Sequence, residues 1–256
     1  MKKINLLGIR IDSLSWEEAR EKVVLFLNSD DQHTIFTPNP EMLVKAQRDE
    51  YFKYTFAESD LNLCDGRGIQ LVSKEKIQRI TGIDFMLEIC RIAEKEYKSI
   101  YLLGSGSDEV VKKTAENLKV QFPNLNIVGF NSGPKILEIT DPPKQNESGL
   151  DINVEENKKT IETINQAHPT ILFVAFGMGK QEKWIFENLK KMPSVKIAMG
   201  IGGAFDYISE KVKRAPLLAR KLGLEWLYRL IKEPKRIVRI WNATVGFLLL
   251  TYLHKK

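Results

Sequence analysis

The chain has 256 residues and is 43% hydrophobic, which is enough for one α/β domain of about 200 residues with a sizeable core. Its two cysteines, Cys64 and Cys90, do not form a C-x-x-C pair, and its three histidines lack metal-ligand spacing, so we expect neither a disulfide nor a zinc site. The net charge of +6 is concentrated at one end. Residues 211–256 hold twelve Lys/Arg against two acids, a charge of +10, whereas residues 1–210 hold 27 (39 − 12) basic and 31 (33 − 2) acidic residues, a charge of −4.

Short apolar runs alternate with amphipathic segments along residues 1–210. The N-terminus contains no signal peptide, which predicts a cytoplasmic protein, and the first helix is marked by a capping box of Ser15 and Glu18. The strand-like runs are INLLGI, HTIFT, LNLC, SIYLLG, LNIVGF, TILFVAFG and VKIAMGI. Periodicity predicts further helices over 40–59, 84–97, 108–122, 154–167 and 180–192. This alternation predicts an α/β fold with a doubly wound, Rossmann-like, largely parallel sheet.

Two segments depart from this alternation. Residues 133–153 contain three prolines and a polar centre, so we interpret them as a long loop or insertion. Residues 211–256 combine the basic cluster with aromatic and aliphatic side chains. The predicted organisation is therefore a Rossmann-like catalytic domain over 1–210 followed by a basic, amphipathic helical appendage over 211–256.

Glycine and polar residues follow five of the predicted strands. In open α/β sheets ligands bind beyond the carboxyl ends of the strands, and glycines there let the backbone approach a phosphate. The residues concerned are Thr37, Asn39, Asp65, Gly104, Gly106, Gly177, Gln181, Gly202, Gly203 and Asp206. We therefore expect a nucleotide site at this edge. The dinucleotide fingerprint is incomplete, because Glu109 occupies the place of its third glycine, so Gly104 and Gly106 also fit an ordinary tight turn.

Several of these residues have a structural alternative. Asp65 is an acid directly at a strand end, so it could be a general base or only the N-cap of a helix near Arg67. For Thr37 and Asn39 a helix cap before Pro40 is favoured, and Gln181 fits an ordinary first-turn position. No D-x-D triplet occurs, so a nucleotide diphosphate would need cationic side chains where many transferases use a metal.

The appendage predicts where the protein works. Its longest uncharged run, residues 240–253, has fourteen residues, whereas a spanning helix needs about twenty. We therefore expect an in-plane helix on an anionic membrane surface, with packing on the body or on a second subunit of a homo-oligomer as the alternative. Nucleic acid is not an expected partner, because no nucleic-acid motif accompanies the basic cluster. Arg229, Lys232, Arg236 and Arg239 would fall within about 80° of a helix surface, as a diphosphate-binding face or a headgroup-binding stripe.

Specific segments carry a family resemblance over essentially the full length. They are Asp65-Gly66, RITGID at 79–84, FVAFGMGKQEKWI at 173–185, GIGGAFD at 200–206, RAP at 214–216 and GLEWLYRLIKEPKR at 223–236. In these the chain resembles the WecG/TagA/CpsF family of bacterial glycosyltransferases. The resemblance implies transfer of N-acetylmannosamine or a related sugar from a UDP-sugar to polyprenyl-diphosphate-linked N-acetylglucosamine, at the inner face of the cell membrane. Such reactions begin wall teichoic acid and other surface polysaccharides.

The same resemblance implies residue roles and a single-displacement, inverting reaction without a metal or other cofactor. Asp65 would deprotonate the acceptor hydroxyl, and Thr37, Asn39, Arg79 and Gln181 would line the pocket. The expected nucleotide contacts are Asp206 to the uracil and the backbone of Gly104, Gly106, Gly202 and Gly203. The expected diphosphate contacts are the appendage arginines Arg229, Arg236 and Arg239. One departure is Gly179, which stands where the family commonly has proline.

Two other functions compete on the sequence alone. One is a nicotinamide-dependent oxidoreductase, which the incomplete glycine fingerprint disfavours. The other is a non-enzymatic, peripheral lipid-binding module that uses only the appendage, which leaves the polar strand ends without a role.

Overall fold

The computed structural model describes residues 2–73, 76–139, 148–223, 225–232, 234 and 237–253. Within these residues, six parallel strands form the central sheet in the order β4-β3-β10-β9-β5-β6. Their bounds are β3 His33–Phe36, β4 Leu61–Asn62, β5 Ser99–Gly104, β6 Asn126–Asn131, β9 Ile171–Ala175 and β10 Ile197–Gly200. Strands β9 and β10 are buried along their whole length, as expected of parallel strands covered on both faces. The predicted doubly wound, Rossmann-like sheet is confirmed.

The N-terminal apolar run corrects one prediction. INLLGI is not a strand of the central sheet, because Leu7 and Gly8 both have positive φ (54° and 77°) and turn the chain back. The result is an antiparallel hairpin of β1 Lys2–Leu6 and β2 Ile9–Ser13, in which Leu6 pairs with Ile9. This hairpin attaches to the end of the sheet through a bridge from Asp12 to Leu63.

Helices cover both faces of the sheet. The helices of the α/β body are α1 Trp16–Leu27, α2 Pro40–Ala46, α3 Glu50–Glu58, α4 Arg67–Val72, α5 Gly82–Lys95, α6 Asp108–Gln121, α7 Val154–Ala167, α8 Lys180–Asn188 and α9 Ala204–Ile208. The single helix predicted over 40–59 is wrong. The chain breaks after α2, and Asp49 starts a new helix by accepting a hydrogen bond from the Phe52 amide.

Alternate strand residues separate two core layers. In β5, Leu102 faces the layer of α1, α5, α6 and α9, whereas Leu103 faces the layer of α2, α3, α7 and α8. The period of two along a strand produces this division. Both layers contain fully buried aromatic side chains, such as Phe85 in the first and Trp184 in the second.

The segment predicted as a loop or insertion, 133–153, contains a second hairpin. Strands β7 Ile136–Glu138 and β8 Leu150–Ile152 pair antiparallel, and residues 140–147 lie outside the described part. The hairpin contacts the body near the start of α8, where Lys180 Nζ donates to the Ile136 carbonyl at 3.1 Å. Glu138 forms an ion pair with Lys45 of α2.

In its described residues, the appendage forms α10 Leu217–Leu222, α11 Glu225–Lys232, α12 Ile237–Trp241 and α13 Phe247–Leu253, with a π-helical turn, Asn242–Gly246, before α13. Phe247 is 1% exposed and belongs to the core layer that contains α2. No helix in the described ranges is both long enough and apolar enough to cross a bilayer.

Candidate active site

The sheet has a switch point between β5 and β9. These strands are adjacent and parallel, but β5 leads into α6 on one face while β9 leads into α8 on the other. Loops that leave a parallel sheet in opposite directions open a crevice at its carboxyl edge, where ligands bind. The loop with Gly104 and Gly106 and the loop with Gly177 border this crevice, which is where the sequence predicted a nucleotide.

The backbone at this edge combines close packing with open space. A Cβ at Gly104 would lie 2.7 Å from the Ala175 carbonyl carbon, so only glycine lets the two strand ends meet. By contrast, a Cβ added at Gly106 or at Gly202 would meet no atom within 4 Å. Both of these glycines therefore face open space at this edge of the sheet, with Gly203 next along the chain at the start of α9.

Gln181 ties the two loops after β9 and β10 together. Its side-chain oxygen accepts a hydrogen bond from the Gly202 amide at 2.9 Å, and its side-chain nitrogen donates to Glu182 Oε1 at 2.8 Å. Glu182 Oε2 accepts from the Gly179 amide at 2.8 Å. Gln181 is 3% exposed and Glu182 is fully buried, and burial raises the pKa of the Glu182 carboxyl to about 7. The oxygen and the nitrogen of the Gln181 side chain thus connect the loop after β10 to the start of α8.

Asp65 follows β4 at the same carboxyl edge and is half-buried. It does not cap the helix near Arg67, because no side chain caps α4, whose N-cap is Gly66. Its Oδ2 instead accepts a hydrogen bond from the Gly82 amide at 3.0 Å, at the first turn of α5. Burial raises the pKa of the Asp65 carboxyl to about 6, against the lowering effects of that hydrogen bond and of Arg79. A carboxylate with such a pKa is ionised at neutral pH and is a stronger base than an ordinary aspartate.

Thr37 and Arg79 lie close to Asp65. A Cβ at Gly82 would be 2.9 Å from Thr37 Oγ1 and 3.7 Å from Asp65 Oδ2, so both side chains flank the same glycine. Arg79 Nη2 donates to the Arg220 carbonyl of the appendage at 2.7 Å. Asn39 is the N-cap of α2, since its Oδ1 accepts from the Met42 amide at 3.0 Å. The cap favoured for Asn39 is present, whereas Thr37 makes no such cap.

The remaining predicted residues divide into described and undescribed ones. Asp206 lies in the first turn of α9, with Lys211 Nζ 3.6 Å from its Oδ1. Arg229 and Arg239 belong to α11 and α12, but their side chains lie outside the described part, as does the whole of Arg236. In the described part of the chain, no three His, Cys, Asp or Glu side chains gather closely enough to hold a metal ion.

The structure thus places the predicted residues in two groups along the carboxyl edge of one sheet. One group surrounds Asp65, with Thr37 and Arg79, beside the docked appendage. The other is the glycine-bordered crevice around Gly104, Gly106 and Gly202, which Gln181 braces. A carboxylate of raised pKa and glycines that face open space, at one edge of a sheet, are features that transfer of a group from a nucleotide to a hydroxyl can use.

Comparison with known proteins gives a family. The model of the family described as "Glycosyl transferase WecG/TagA/CpsF family" matches residues 4–256. The chain belongs to the WecG/TagA/CpsF family of glycosyltransferases. It is an enzyme of that class, which decides against the nicotinamide-dependent oxidoreductase and the purely lipid-binding alternatives.

Curated relatives narrow the likeness further. The chain is 27% identical over 249 residues to the N-acetylglucosaminyldiphosphoundecaprenol N-acetyl-beta-D-mannosaminyltransferase of Staphylococcus aureus strain MW2, covering 95% of this chain and 90% of the relative. It is 28% identical over 249 residues to the protein of the same description from strain MRSA252, with the same coverage. These relatives act on a lipid-linked sugar, according to their names.

Two residues in the segments that carry the family resemblance make a contact that the sequence did not predict. Arg214, in RAP, forms two hydrogen bonds to Asp84, in RITGID. On the sequence, Arg214 was one of twelve basic residues and Asp84 only a helix start. The only sequence feature that pointed to a role for Arg214 and Asp84 is that both lie in segments that carry the family resemblance. At Gly179, the φ of +86° is one that proline cannot adopt.

Proposed function

We propose that this protein transfers N-acetylmannosamine, or a closely related sugar, from a UDP-sugar to polyprenyl-diphosphate-linked N-acetylglucosamine, with inversion at the anomeric carbon. The observation that carries the proposal is Asp65, a half-buried carboxylate with a pKa of about 6, at the same carboxyl edge of the sheet where Gly106 and Gly202 face open space. The sugar and the acceptor follow the printed names of the Staphylococcus aureus relatives.

Asp65 is suited to the base of a single displacement. The acceptor hydroxyl oxygen forms a bond to the anomeric carbon, the bond from that carbon to the β-phosphate oxygen breaks, and the hydroxyl proton passes to Asp65. Attack opposite the leaving UDP inverts the configuration. The hydrogen bond from the Gly82 amide, at 3.0 Å, orients the carboxylate while leaving its Oδ1 to face the acceptor.

The crevice between the β5 and β9 loops suits the donor. The diphosphate would approach the backbone at Gly104, Gly106 and Gly202, two of which border empty volume. Gly177 and Gly203 continue the same edge, and Asp206 would recognise the uracil. We assign neutralisation of the departing diphosphate to cationic side chains, Arg79 and the appendage arginines, with no resident metal or other cofactor.

The appendage suits a membrane-bound acceptor. Large apolar side chains are exposed along its helices, among them Leu217, Leu218, Trp226, Leu227, Ile231, Ile237, Trp241, Leu248, Leu249, Tyr252 and Leu253. Together with the charge of +10 over 211–256, this composition favours a peripheral position on the anionic inner face of the cell membrane. The lipid-linked acceptor named for the relatives is embedded in such a surface.

The test is a panel of UDP-sugars with a short-chain lipid-diphosphate N-acetylglucosamine, with determination of the product linkage. We expect UDP-N-acetylmannosamine to be turned over and an inverted linkage to form. No turnover of any UDP-sugar would overturn the donor assignment, and a retained configuration would overturn the single displacement. Activity should persist in EDTA, since strong inhibition that magnesium reverses would show that a metal is needed.

A matched pair of variants tests the base. Asp65→Asn keeps an oxygen for the Gly82 amide, so UDP binding should persist while transfer falls on the order of 10² to 10⁴-fold. The control is Asp60→Asn, which makes the same change at the opposite end of β4, where Asp60 Oδ2 accepts from the Thr34 amide at 2.8 Å. Near-normal transfer by Asp65→Asn, or an equal loss in both variants, would remove Asp65 from the mechanism.

A further inference from the structure

Arg214 connects three separate parts of the chain. Its Nη1 and Nη2 donate to Asp84 Oδ1 and Oδ2 at 2.6 and 2.9 Å, and its Nε donates to Glu225 Oε1 at 3.2 Å. The Arg214 side chain is 16% exposed and that of Glu225 23%. A two-point contact between guanidinium and carboxylate is directional as well as strong. Arg214 is therefore held in one orientation by partners that lie 130 and 11 residues away.

Asp84 is fixed at the start of α5, the helix whose first turn also contacts Asp65. It lies in the first turn of α5, where its amide hydrogen-bonds to Thr81 Oγ1. Two residues earlier, the Gly82 amide of the same turn donates to Asp65. The contacts with Arg214 and Thr81 also hold the pKa of the Asp84 carboxyl below its usual value. The start of α5 thus contacts the base through Gly82 and the appendage through Asp84.

A second contact acts in parallel. Arg79 Nη2 donates to the backbone carbonyl of Arg220 in α10, at 2.7 Å. Glu225 is the first residue of α11, the helix that includes Arg229. The described contacts therefore join the first two appendage helices, α10 and α11, to the segment 79–84, whose Gly82 amide donates to Asp65.

We infer that Arg214, Asp84 and Glu225 are positioning residues that clamp the start of the appendage beside Asp65, in the arrangement that turnover requires. This inference rests on the proposed function for its catalytic consequence, but the clamp itself is a structural claim. We expect the clamp to act mainly on turnover, because the negative charge that the diphosphate presents to cationic side chains increases as its bond to the sugar breaks.

The experiment uses the full-length protein and three changes: Arg214→Gln, Asp84→Asn and the two combined. We expect each to lower kcat at least tenfold while the KM for the UDP-sugar stays within about twofold. The double variant should be no worse than the single ones, because the pair acts as one unit. Arg214→Lys keeps the charge but lacks the two-point geometry, so it should fall between Arg214→Gln and the unmodified protein. A kcat for Arg214→Gln within twofold of the unmodified protein, or additive losses, would overturn the inference.

Limited digestion with chymotrypsin provides a readout that needs no substrate. Trp226 and Trp241 are exposed cleavage residues within the appendage, and release of the clamp should speed appendage cleavage at least tenfold. Arg20→Gln is the matched control, because it removes another Arg–carboxylate pair on α5, Arg20 Nε to Glu88 Oε1 at 2.8 Å. Its digestion and kcat should match the unmodified protein. Unchanged appendage cleavage in Arg214→Gln would refute the clamp, even if no UDP-sugar is a donor, so the two failures are distinguishable.

Discussion

Replacing Asp65 by asparagine should stabilise the folded protein at alkaline pH. Burial raises the pKa of this carboxyl from 3.8 to about 6, which corresponds to about 3 kcal/mol against the ionised form at pH 8. The folded pKa lies above the unfolded one, so the stability associated with protonated Asp65 is complete below pH 3.8 and is lost as the pH rises through about 6. Asparagine is always neutral and keeps the oxygen that accepts from Gly82, but its extra amide donor costs about 1 kcal/mol. The expected net gain at pH 8 is about 2 kcal/mol.

The measurement is urea unfolding followed by tryptophan fluorescence at pH 8 and at pH 4.5. Since unfolded Asp65 is mostly ionised at pH 4.5 while folded Asp65 is mostly protonated, the advantage of the variant should shrink by about 2 kcal/mol between the two conditions. Asp84→Asn is the opposite control. The pKa of Asp84 is lowered by its contacts, so this variant should be less stable at pH 8, and the deficit should diminish as the pH falls. A pH-independent difference for Asp65→Asn, or a loss of stability at pH 8, would refute the reasoning about burial.

Three further outcomes test other parts of the structure. Asp49→Ala should lower the free energy of unfolding in urea by about 3 kcal/mol, because Lys183 is 2% exposed and its Nζ lies 2.6 Å from Asp49 Oδ2. As a control, Glu116→Ala breaks an exposed ion pair with Lys113 and should change the free energy of unfolding by less than about 0.5 kcal/mol. Gly202→Asn should weaken UDP binding at least tenfold by calorimetry, since its side chain would enter the open space at this edge and Asn tolerates the φ of +54° found here. Unchanged affinity would place the nucleotide elsewhere. The double change Leu248→Glu and Leu249→Glu alters side chains that are 53% and 58% exposed, so it should abolish sedimentation with phosphatidylglycerol vesicles without lowering thermal stability.

Much of the fold follows from local sequence patterns. The helix predicted over 154–167 and the strand SIYLLG have the bounds predicted for them, because periodicity, a cap and flanking turn residues agree there. The errors arise where one pattern spans two elements. INLLGI is mostly apolar, yet the Leu7–Gly8 turn divides it. The helical period of 40–59 continues across a break, after which Asp49 caps a new helix.

The sequence predicted which edge of the sheet carries the candidate site, but not the contacts within it. Parallel strands bring their carboxyl ends to one edge, so Asp65, Gly104 and Gly202 could be expected there from their order in the chain. The contacts that shape the site connect residues far apart in sequence. Gln181 bonds the Gly202 amide, and Arg214 contacts Asp84 across 130 residues. No local periodicity encodes such pairs, because each partner also fits an ordinary helix-start or surface position.

The position of the appendage and the strength of the base are physically connected. Gly223 of the appendage packs against Arg67, and Phe247 packs beside Gly68, so the appendage covers α4 directly after the Asp65–Gly66 pair. The charge of Glu225 contributes to the raised pKa of Asp65. Undocking would remove that charge and admit water to the carboxylate, and both changes would return its pKa towards that of an ordinary, weaker base.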